Sequence, residues 1–320
     1  MAVIYLTTQG ATLKRESRRL YVEKDNIELF EIQARQTESV IIFGNIQVST
    51  QALALIGEEG ITVTYLYFNG KMKGQFLPPL NKNIDLRLEQ YHIVCNENAC
   101  LEAAKFMLLK KIEAMEEFYR HCRQKSEFAN QYEIKRELEE TREKIREAEQ
   151  YDELLGYEGA ASRAHFHYYS QLFKGEILFA GRSKHPPEDE ANAMLSLGYT
   201  LMQNLINGIC AASGLDVYAG FLHRPDYARP SITLDILEGF RPVVDKFVLN
   251  LANLSIITRK DFREEGNYKF LLNNAALKKY LLNWNNLIYA DDNELLKKIV
   301  SVTGEVVKYI RNHGLKTEVA

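Results

Sequence analysis

Residues 61–80, ITVTYLYFNGKMKGQFLPPL, decide the fold class because they hold both the end of a strand-rich region and the break that follows it. Residues 61–66 are β-branched and aromatic, which is typical of a strand. Asn69-Gly70 is a strong signal for a two-residue hairpin turn, since both turn positions need positive φ. Pro78-Pro79 then interrupts the strand pattern. The stretch therefore predicts a β hairpin with a structural boundary near residue 80.

The chain before this stretch has the same strand-like character. Short apolar runs occur at Ile4-Tyr5-Leu6, Leu20-Tyr21-Val22 and Val40-Ile41-Ile42-Phe43, each bounded by glycine or polar residues. One short helix is predicted from Thr50 through Ile56, ending at Gly57. This region contains no group of acids and histidines that could form a reaction centre, so we expect its role to be structural.

After the break the apolar spacing changes to three and four, which is the period of a helix. The change begins near Leu86, and helical spacing continues to the end of the chain. A run of alternating charges between Glu133 and Glu149 predicts a solvated helix held by i,i+4 pairs, or alternatively a docking surface. The prediction is an α+β protein: a small N-terminal β domain (1–80), a linker (81–92) and a larger all-α catalytic domain (93–320).

Composition excludes several classes of protein. The 320 residues are 46% hydrophobic, which excludes global disorder and collagen-like sequences. Lys plus Arg number 40 against 43 for Asp plus Glu, so polybasic binding of nucleic acid by the whole chain is not expected. The four cysteines are too few and too irregularly spaced for a disulfide framework or a zinc site. With no signal-peptide pattern and no apolar run of ~18 residues, we expect a cytoplasmic protein that does not enter a membrane.

The first candidate for chemistry lies in GYEGAASRAHFHYYSQLF, which begins at residue 156. Glu158 comes just before a Gly-Ala-Ala-rich segment that predicts a helix start, where a carboxylate is favoured by the helix dipole. From this position alone, we would interpret Glu158 as an acid that caps the N-terminus of a helix. His165 and His167 would point about 200° apart on a helix, so joint metal ligation is geometrically poor.

A second group of candidates lies in GFLHRPDYARPSITLDILEGFRPVVD, residues 220–245. His223 ends an apolar segment, and a helix predicted from about Ser231 carries Asp235 and Glu238 on one face. An imidazole with two carboxylates can hold Mg²⁺ or Mn²⁺ and leave positions open for water and substrate oxygens. Such an ion suits phosphodiester chemistry. The alternative is that His223 has only a structural role at a turn. From the residues alone, the metal site and the structural role both remain open.

Four blocks together resemble one family, the CRISPR-associated integrase, which is the first-numbered Cas protein of the spacer-acquisition pair. The blocks are IIFGNIQVSTQALALIGEEGITVTYLYFNGKMKGQF, YEGAASRAHFHYYSQLF, RSKHPPEDEANAMLSLGYTLM and GFLHRPDYARPSITLDILEGFRPVVD. The resemblance covers essentially the whole chain. It implies an N-terminal β domain that dimerises, joined to a helical catalytic domain.

The resemblance also implies roles for particular residues. By motif position, Glu158, His223 and Glu238 are the expected metal ligands for Mg²⁺ or Mn²⁺. Asp235 matches a further acidic position and is expected to support the catalytic site, and Tyr199 falls in a tyrosine block near it. Candidate phosphate contacts are Arg163, Arg224 and Arg241.

The implied function is DNA integration during CRISPR adaptation. The 3′-hydroxyl of a short foreign DNA fragment attacks a phosphodiester at a CRISPR repeat, and a second attack completes the insertion of a new spacer. The expected partners are DNA, a second copy of the chain and the small second Cas protein, with two dimers flanking a dimer of that protein in a heterohexamer. Two alternatives use the same residues: a general metal-dependent nuclease for branched or single-stranded DNA, and a non-catalytic DNA-binding scaffold.

Overall fold

The computed structural model describes residues 2–67, 72–78, 84–123, 131–183, 187–265, 268–289 and 294–314. The predicted turn at Asn69-Gly70 lies outside these residues, as do Pro79 and the predicted boundary at residues 80–81.

The N-terminal region is built from two four-stranded sheets. The first has the order β1-β5-β7-β8 and the second the order β4-β3-β2-β6. The elements are β1 (Ala2–Leu6), β2 (Thr12–Glu16), β3 (Arg19–Lys24), β4 (Ile27–Gln33), β5 (Thr37–Phe43), β6 (Gln47–Val48), α1 (Thr50–Glu58), β7 (Thr62–Leu66) and β8 (Met72–Phe76). Strands β1, β5 and β7 are parallel, and β7 pairs antiparallel with β8, as the predicted hairpin requires. Helix α1 was predicted from Thr50 through Ile56, and in the structure it continues to Glu58.

Strand β5 shows why the first sheet sits at the centre of this arrangement. Its side chains alternate between the two faces, as in any strand. Val40 and Ile42 belong to the small apolar core shared with α1 and the second sheet. Ile41 and Phe43 belong instead to the large core formed by the helices. The sheet is therefore buried on both faces and joins the two parts of the molecule.

The rest of the described chain is mainly helical. The helices are α2 (Ile84–Cys95), α3 (Glu97–Arg123), α4 (Gln131–Glu147), α5 (Tyr151–Ser170), α6 (Glu190–Ala212), α7 (Ser231–Glu238), α8 (Arg241–Asn253), α9 (Asn274–Tyr289) and α10 (Glu294–His313). The predicted α+β class, with a β region followed by a helical region, is confirmed. From Ile84 onward the segment predicted as a linker is helix α2. No described helix combines the length and the apolar character needed to cross a membrane.

One feature of the helical part has no counterpart in the sequence pattern. A two-stranded antiparallel hairpin, β9 (Phe262–Glu265) and β10 (Tyr268–Leu272), follows α8.

Helix α3 runs beside α4, α5, α7 and α8, and this central position lets its side chains reach the residues singled out in the sequence.

Candidate active site

Helices α3, α5 and α7 bring together one lysine and two glutamates. The ammonium of Lys111 on α3 is hydrogen-bonded to Glu158 Oε1 on α5 and lies 2.7 Å from Glu238 Oε2 at the end of α7. It also donates to Ser162 Oγ at 2.9 Å, and that hydroxyl donates to Glu158 Oε1 at 2.8 Å. The Lys111 and Glu238 side chains are only 2% and 4% exposed, whereas Glu158 is 30% exposed. The cluster therefore opens to solvent at Glu158.

The expectation that Glu158 lies at a helix start is wrong. Helix α5 begins at Tyr151, which places Glu158 about two turns inside the helix. Small residues alone do not mark a helix start, and the acids in the first turn of α5 are Asp152 and Glu153. Burial on its own would raise the pKa of the Glu158 carboxyl, but the charge of Lys111 and its hydrogen bond outweigh burial, so the pKa is lowered.

Glu238 is held ionised between two cations. Its Oε1 accepts a hydrogen bond from Arg241 Nε at 2.7 Å, and its Oε2 faces Lys111. The contact of Oε2 with the Lys111 ammonium, at 2.7 Å, is a close ion pair. Burial favours the neutral acid, but the charges of Arg241 and Lys111 dominate and hold the pKa of Glu238 far below its usual range.

Asp235 fixes the orientation of His223. One oxygen of Asp235 accepts the backbone N–H of His223 at 2.7 Å and lies 2.8 Å from His223 Nδ1. The other accepts the backbone N–H groups of Phe221 and Leu222 at 2.6 and 3.0 Å. A carboxylate can only accept, so Nδ1 carries the imidazole proton and Nε2 is left as a lone-pair donor. Asp235 therefore orients the His223 ring, and its expected role in the catalytic site stays a prediction.

The turn before His223 depends on Gly220. A Cβ at Gly220 would lie 2.6 Å from the backbone of Ser231, the first residue of α7. Only a residue without a side chain allows the turn to approach α7 this closely. The close approach brings the backbone N–H groups of the turn to the Asp235 carboxylate on the next turn of that helix.

Two of the predicted metal ligands influence each other electrostatically, because the charge of Glu238 counteracts part of the lowering of the Glu158 pKa by Lys111. In the described part of the chain, however, no three His, Cys, Asp or Glu side chains converge closely enough to hold a metal ion. By type, two carboxylates and an imidazole nitrogen fit a hard divalent cation, and the Lys111 ammonium that lies 2.7 Å from the buried Glu238 Oε2 shows that this oxygen accepts a cation. The metal set of Glu158, His223 and Glu238 stays a prediction.

Behind this cluster lies a buried polar network that the sequence did not reveal. Asp245 on α8 accepts a hydrogen bond from the Tyr199 hydroxyl, and its other oxygen lies 2.9 Å from His165 Nε2. The Arg241 guanidinium stacks 4.8 Å above the Tyr199 ring, which links the network to Glu238. Burial and the charge of Asp245 raise the pKa of Tyr199 well above its usual value. His165, read from sequence as an ordinary helix residue, is therefore part of the buried support of the site.

The three predicted phosphate contacts differ in their surroundings. Arg163 on α5 and Arg224 in the loop after His223 are exposed. The Arg224 guanidinium stacks 4.2 Å above the ring of Tyr151, which holds it beside the site. Arg241 is engaged with Glu238 and Tyr199. Lys111 and Asp245 are the functional candidates that the sequence missed, because nothing in their local context distinguishes them from ordinary helix residues.

Comparison with known proteins gives a consistent result. The model of the family described as CRISPR associated protein Cas1 matches residues 4–286. A curated relative from Rhodospirillum rubrum, the CRISPR-associated endonuclease Cas1 2, is 31% identical over 293 residues, covering 88% of this chain and 84% of the relative.

Solved structures share the fold. A CAS1 protein from Thermotoga maritima matches with a TM-score of 0.86 and 23% identity, and each chain is fully covered. A casposase bound to integration product matches with a TM-score of 0.80 and 20% identity over 100% of this chain and 96% of the casposase. A chain of a Cas6-RT-Cas1--Cas2 complex matches with a TM-score of 0.84 and 21% identity over 98% of this chain and 35% of that chain. At these identities the likenesses are evidence of the fold.

Proposed function

The chain belongs to the Cas1 family, and we propose that it is a divalent-metal-dependent DNA endonuclease and integrase that inserts short foreign DNA fragments as new spacers into a CRISPR array. The observations that carry the proposal are the pairing of Glu158 and Glu238 through Lys111 and the orientation of His223 by Asp235 on the turn before α7. The endonuclease name of the Rhodospirillum rubrum relative and the integration product bound by the casposase support this chemistry.

Glu158, His223 and Glu238 are the residues that would hold Mg²⁺ or Mn²⁺. Such an ion, when bound, lowers the pKa of an attacking hydroxyl and neutralises charge on the phosphate oxygens. The chain's own residues prepare the site for it. Asp235 keeps the proton on Nδ1 of His223, which leaves Nε2 as the ligand atom. Arg241 keeps Glu238 ionised, because its guanidinium is bound to the carboxylate at 2.7 Å.

The reaction is an exchange of phosphodiester bonds. The 3′-oxygen of the foreign fragment forms a bond to a phosphorus atom in the repeat, and the bond from that phosphorus to the original 3′-oxygen breaks. The hydroxyl proton leaves the attacking oxygen, and the departing oxygen takes up a proton. One phosphodiester replaces another, so the step needs no nucleotide hydrolysis.

DNA binding is assigned to the exposed face beside the site. Arg163 and Arg224 would contact phosphates directly, whereas Arg241 acts from within its ion pair with Glu238. Because the formal charge of the whole chain is −3, phosphate contacts must be concentrated on a local surface. Affinity for DNA should therefore fall steeply as salt rises.

The assembly is also part of the proposal. We expect a homodimer formed through the N-terminal β domain, residues 1–80, with residues 93–320 forming the catalytic domain. Two dimers would flank a dimer of the small second Cas protein, and the Cas2 named in the Cas6-RT-Cas1--Cas2 complex supports such a partner. Removing that partner should weaken the affinity for DNA.

A joining assay tests the proposal. The purified protein, its Cas2 partner, Mn²⁺ and a repeat-bearing plasmid are incubated with a labelled duplex fragment that ends in a 3′-hydroxyl. We expect label to become covalently joined to the plasmid, and no joining with a matched fragment that ends in a 3′-dideoxynucleotide, because that fragment cannot attack. Metal-dependent cutting with no joining of either fragment would overturn the integrase and support the general nuclease instead.

A further inference from the structure

Lys111 is a buried cation with no assigned role in the proposed reaction. It comes from α3, whereas the candidate metal ligands come from α5, α7 and the turn before α7. Its ammonium contacts three oxygen atoms, one each from Glu158, Ser162 and Glu238. With 2% of its side chain exposed, Lys111 cannot reach a substrate in solution. Its chemistry must act through the groups that it touches.

Electrostatics explains why a cation is present at this position. Two carboxylates that face each other at a largely buried site repel, and each raises the pKa of the other. Lys111 places one ammonium between the two carboxylates, hydrogen-bonded to Glu158 and 2.7 Å from Glu238. An uncompensated buried charge is strongly destabilising. The ammonium therefore allows both carboxylates to stay ionised and close together.

The ammonium of Lys111 already occupies the carboxylate oxygens of both glutamates that face it. Oε1 of Glu158 accepts a hydrogen bond from the ammonium, and Oε2 of Glu238 forms an ion pair with it at 2.7 Å. A metal ion bound to both carboxylates would occupy much of the space that the ammonium fills. A fixed positive charge so close to a divalent cation also opposes its binding.

We propose that Lys111 is a positioning residue that holds Glu158 and Glu238 together while the metal is absent, and that its ammonium competes with the divalent cation for these carboxylates. Lys111 therefore lowers the affinity of the site for the metal and restricts occupancy to conditions in which the cation can displace it. This inference rests on the proposed metal-dependent function and assigns its regulation to one residue.

The test compares Lys111→Gln with Lys105→Gln. Glutamine keeps a hydrogen-bond donor but removes the charge. Lys105 is a matched control because it lies on the same helix, is 13% exposed and pairs with Glu102, away from the site. Mn²⁺ affinity is measured by electron paramagnetic resonance of the free ion, and melting temperatures are recorded in EDTA and in Mn²⁺. We expect Lys111→Gln to bind Mn²⁺ about tenfold more tightly than wild type, to melt lower in EDTA and to gain more stability from Mn²⁺. Lys105→Gln should bind Mn²⁺ like wild type.

The outcomes separate this inference from the function on which it rests. If wild type shows no saturable Mn²⁺ binding, the metal-dependent function fails and the inference fails with it. If wild type binds Mn²⁺ and Lys111→Gln binds equally or more weakly, only the inference is overturned. A purely structural role for Lys111 would lower the melting temperature in EDTA without tightening Mn²⁺ binding.

A measurement on the unchanged protein does not depend on the variants folding. The ¹⁵Nζ resonance of the buried Lys111 ammonium can be followed in lysine-labelled protein during a Mg²⁺ titration. We expect this resonance to shift as Mg²⁺ raises the melting temperature, because the ion displaces the ammonium from its carboxylates. A resonance that does not move over the range of Mg²⁺ that stabilises the protein would overturn the competition.

Discussion

Two lysine–glutamate pairs in this protein have the same chemistry and different surroundings. Lys14 and Glu23 pair across β2 and β3 of the N-terminal region at 2.5 Å, with 38% and 22% of their side chains exposed. Lys111 and Glu238 pair between α3 and α7 at 2.7 Å, with 2% and 4% exposed. An exposed pair such as Lys14–Glu23 contributes little to stability, whereas breaking a buried pair by removing one partner costs about 3–5 kcal/mol.

The two pairs have the same charges and differ in burial, so burial determines how strongly each charge depends on its partner. On the sheet, each partner can turn to water if the other is lost. In the helical domain, each buried charge depends on its partners, so a change at one residue is transmitted to the rest. We expect the helical cluster to respond to substitution as one coupled unit and the sheet pair to respond one residue at a time.

The largest expected effect separates Glu238→Gln from Glu23→Gln. Loss of the Glu238 charge removes a proposed metal ligand and leaves Arg241 and Lys111 with less compensation, so joining should fall by at least about 100-fold. Glu23→Gln removes only an exposed pair and should change the free energy of unfolding by less than about 0.5 kcal/mol. The joining assay and thermal melting measure both variants. Full joining by Glu238→Gln would contradict the assignment of Glu238 as a metal ligand.

The next largest effect concerns Asp235→Asn. Asparagine offers one oxygen where Asp235 offers two, so it cannot accept the three backbone N–H groups and also orient the His223 imidazole. We expect a loss of about 3 kcal/mol in the free energy of unfolding and about 10- to 100-fold in joining. Asp226→Asn is the control, because Asp226 is exposed in the loop and pairs only weakly with Arg229. Equal joining by the two variants would show that Asp235 does not position His223.

Acid should destabilise the cluster more than the sheet pair. Glu238 has a folded-state pKa far below its value of about 4.5 in an unfolded chain, so the unfolded state binds the proton first. The stability contributed by Glu238 is therefore fully present above about pH 5 and decreases steadily as pH falls below that value, through pH 3 and further. In EDTA, wild type should lose on the order of 2 kcal/mol more between about pH 5 and about pH 3 than Glu238→Gln. Parallel curves of unfolding free energy against pH for the two proteins would contradict the lowered pKa.

The smallest effect is expected at Tyr199→Phe. This variant removes one hydrogen bond to Asp245 but keeps the ring beneath Arg241. The free energy of unfolding should fall by about 1–2 kcal/mol, and joining should stay within about threefold of wild type because Glu238 remains paired. Chemical denaturation and the joining assay measure the two effects. A well-folded Tyr199→Phe that no longer joins DNA would place the hydroxyl in the reaction itself.

Much of the fold was predictable because its signals are local. The β7–β8 pairing follows from apolar alternation and the Asn69-Gly70 turn signal, and α1 follows from residues 50–57. Strand β4 was missed because most of its side chains are exposed, so no buried face marks it in the sequence. The β9–β10 hairpin was missed because it is short and lies within a region of helical spacing.

His223, Asp235 and Glu238 became candidates through their residue types and spacing. The resemblance added metal-ligand roles for Glu158, His223 and Glu238, and these roles stay predictions. Lys111 was not predicted, because a lysine beside another lysine on an amphipathic helix looks like a solvated residue. Its burial depends on α5 and α7, which are far away in the sequence. Contacts with residues so distant in the sequence do not change the local spacing of apolar and charged residues, so this spacing does not predict them.

The central claim is that His223 belongs to a metal-dependent reaction centre, and one measurement tests it most directly. Joining of a labelled fragment to repeat-bearing plasmid is compared between His223→Ala and His167→Ala, with Mn²⁺ and the Cas2 partner present. His167 is the control because it is an exposed histidine on α5. The account predicts that joining is lost in His223→Ala and kept in His167→Ala. Equal joining by the two variants would contradict it, because His223 would then be only a structural residue of the turn before α7.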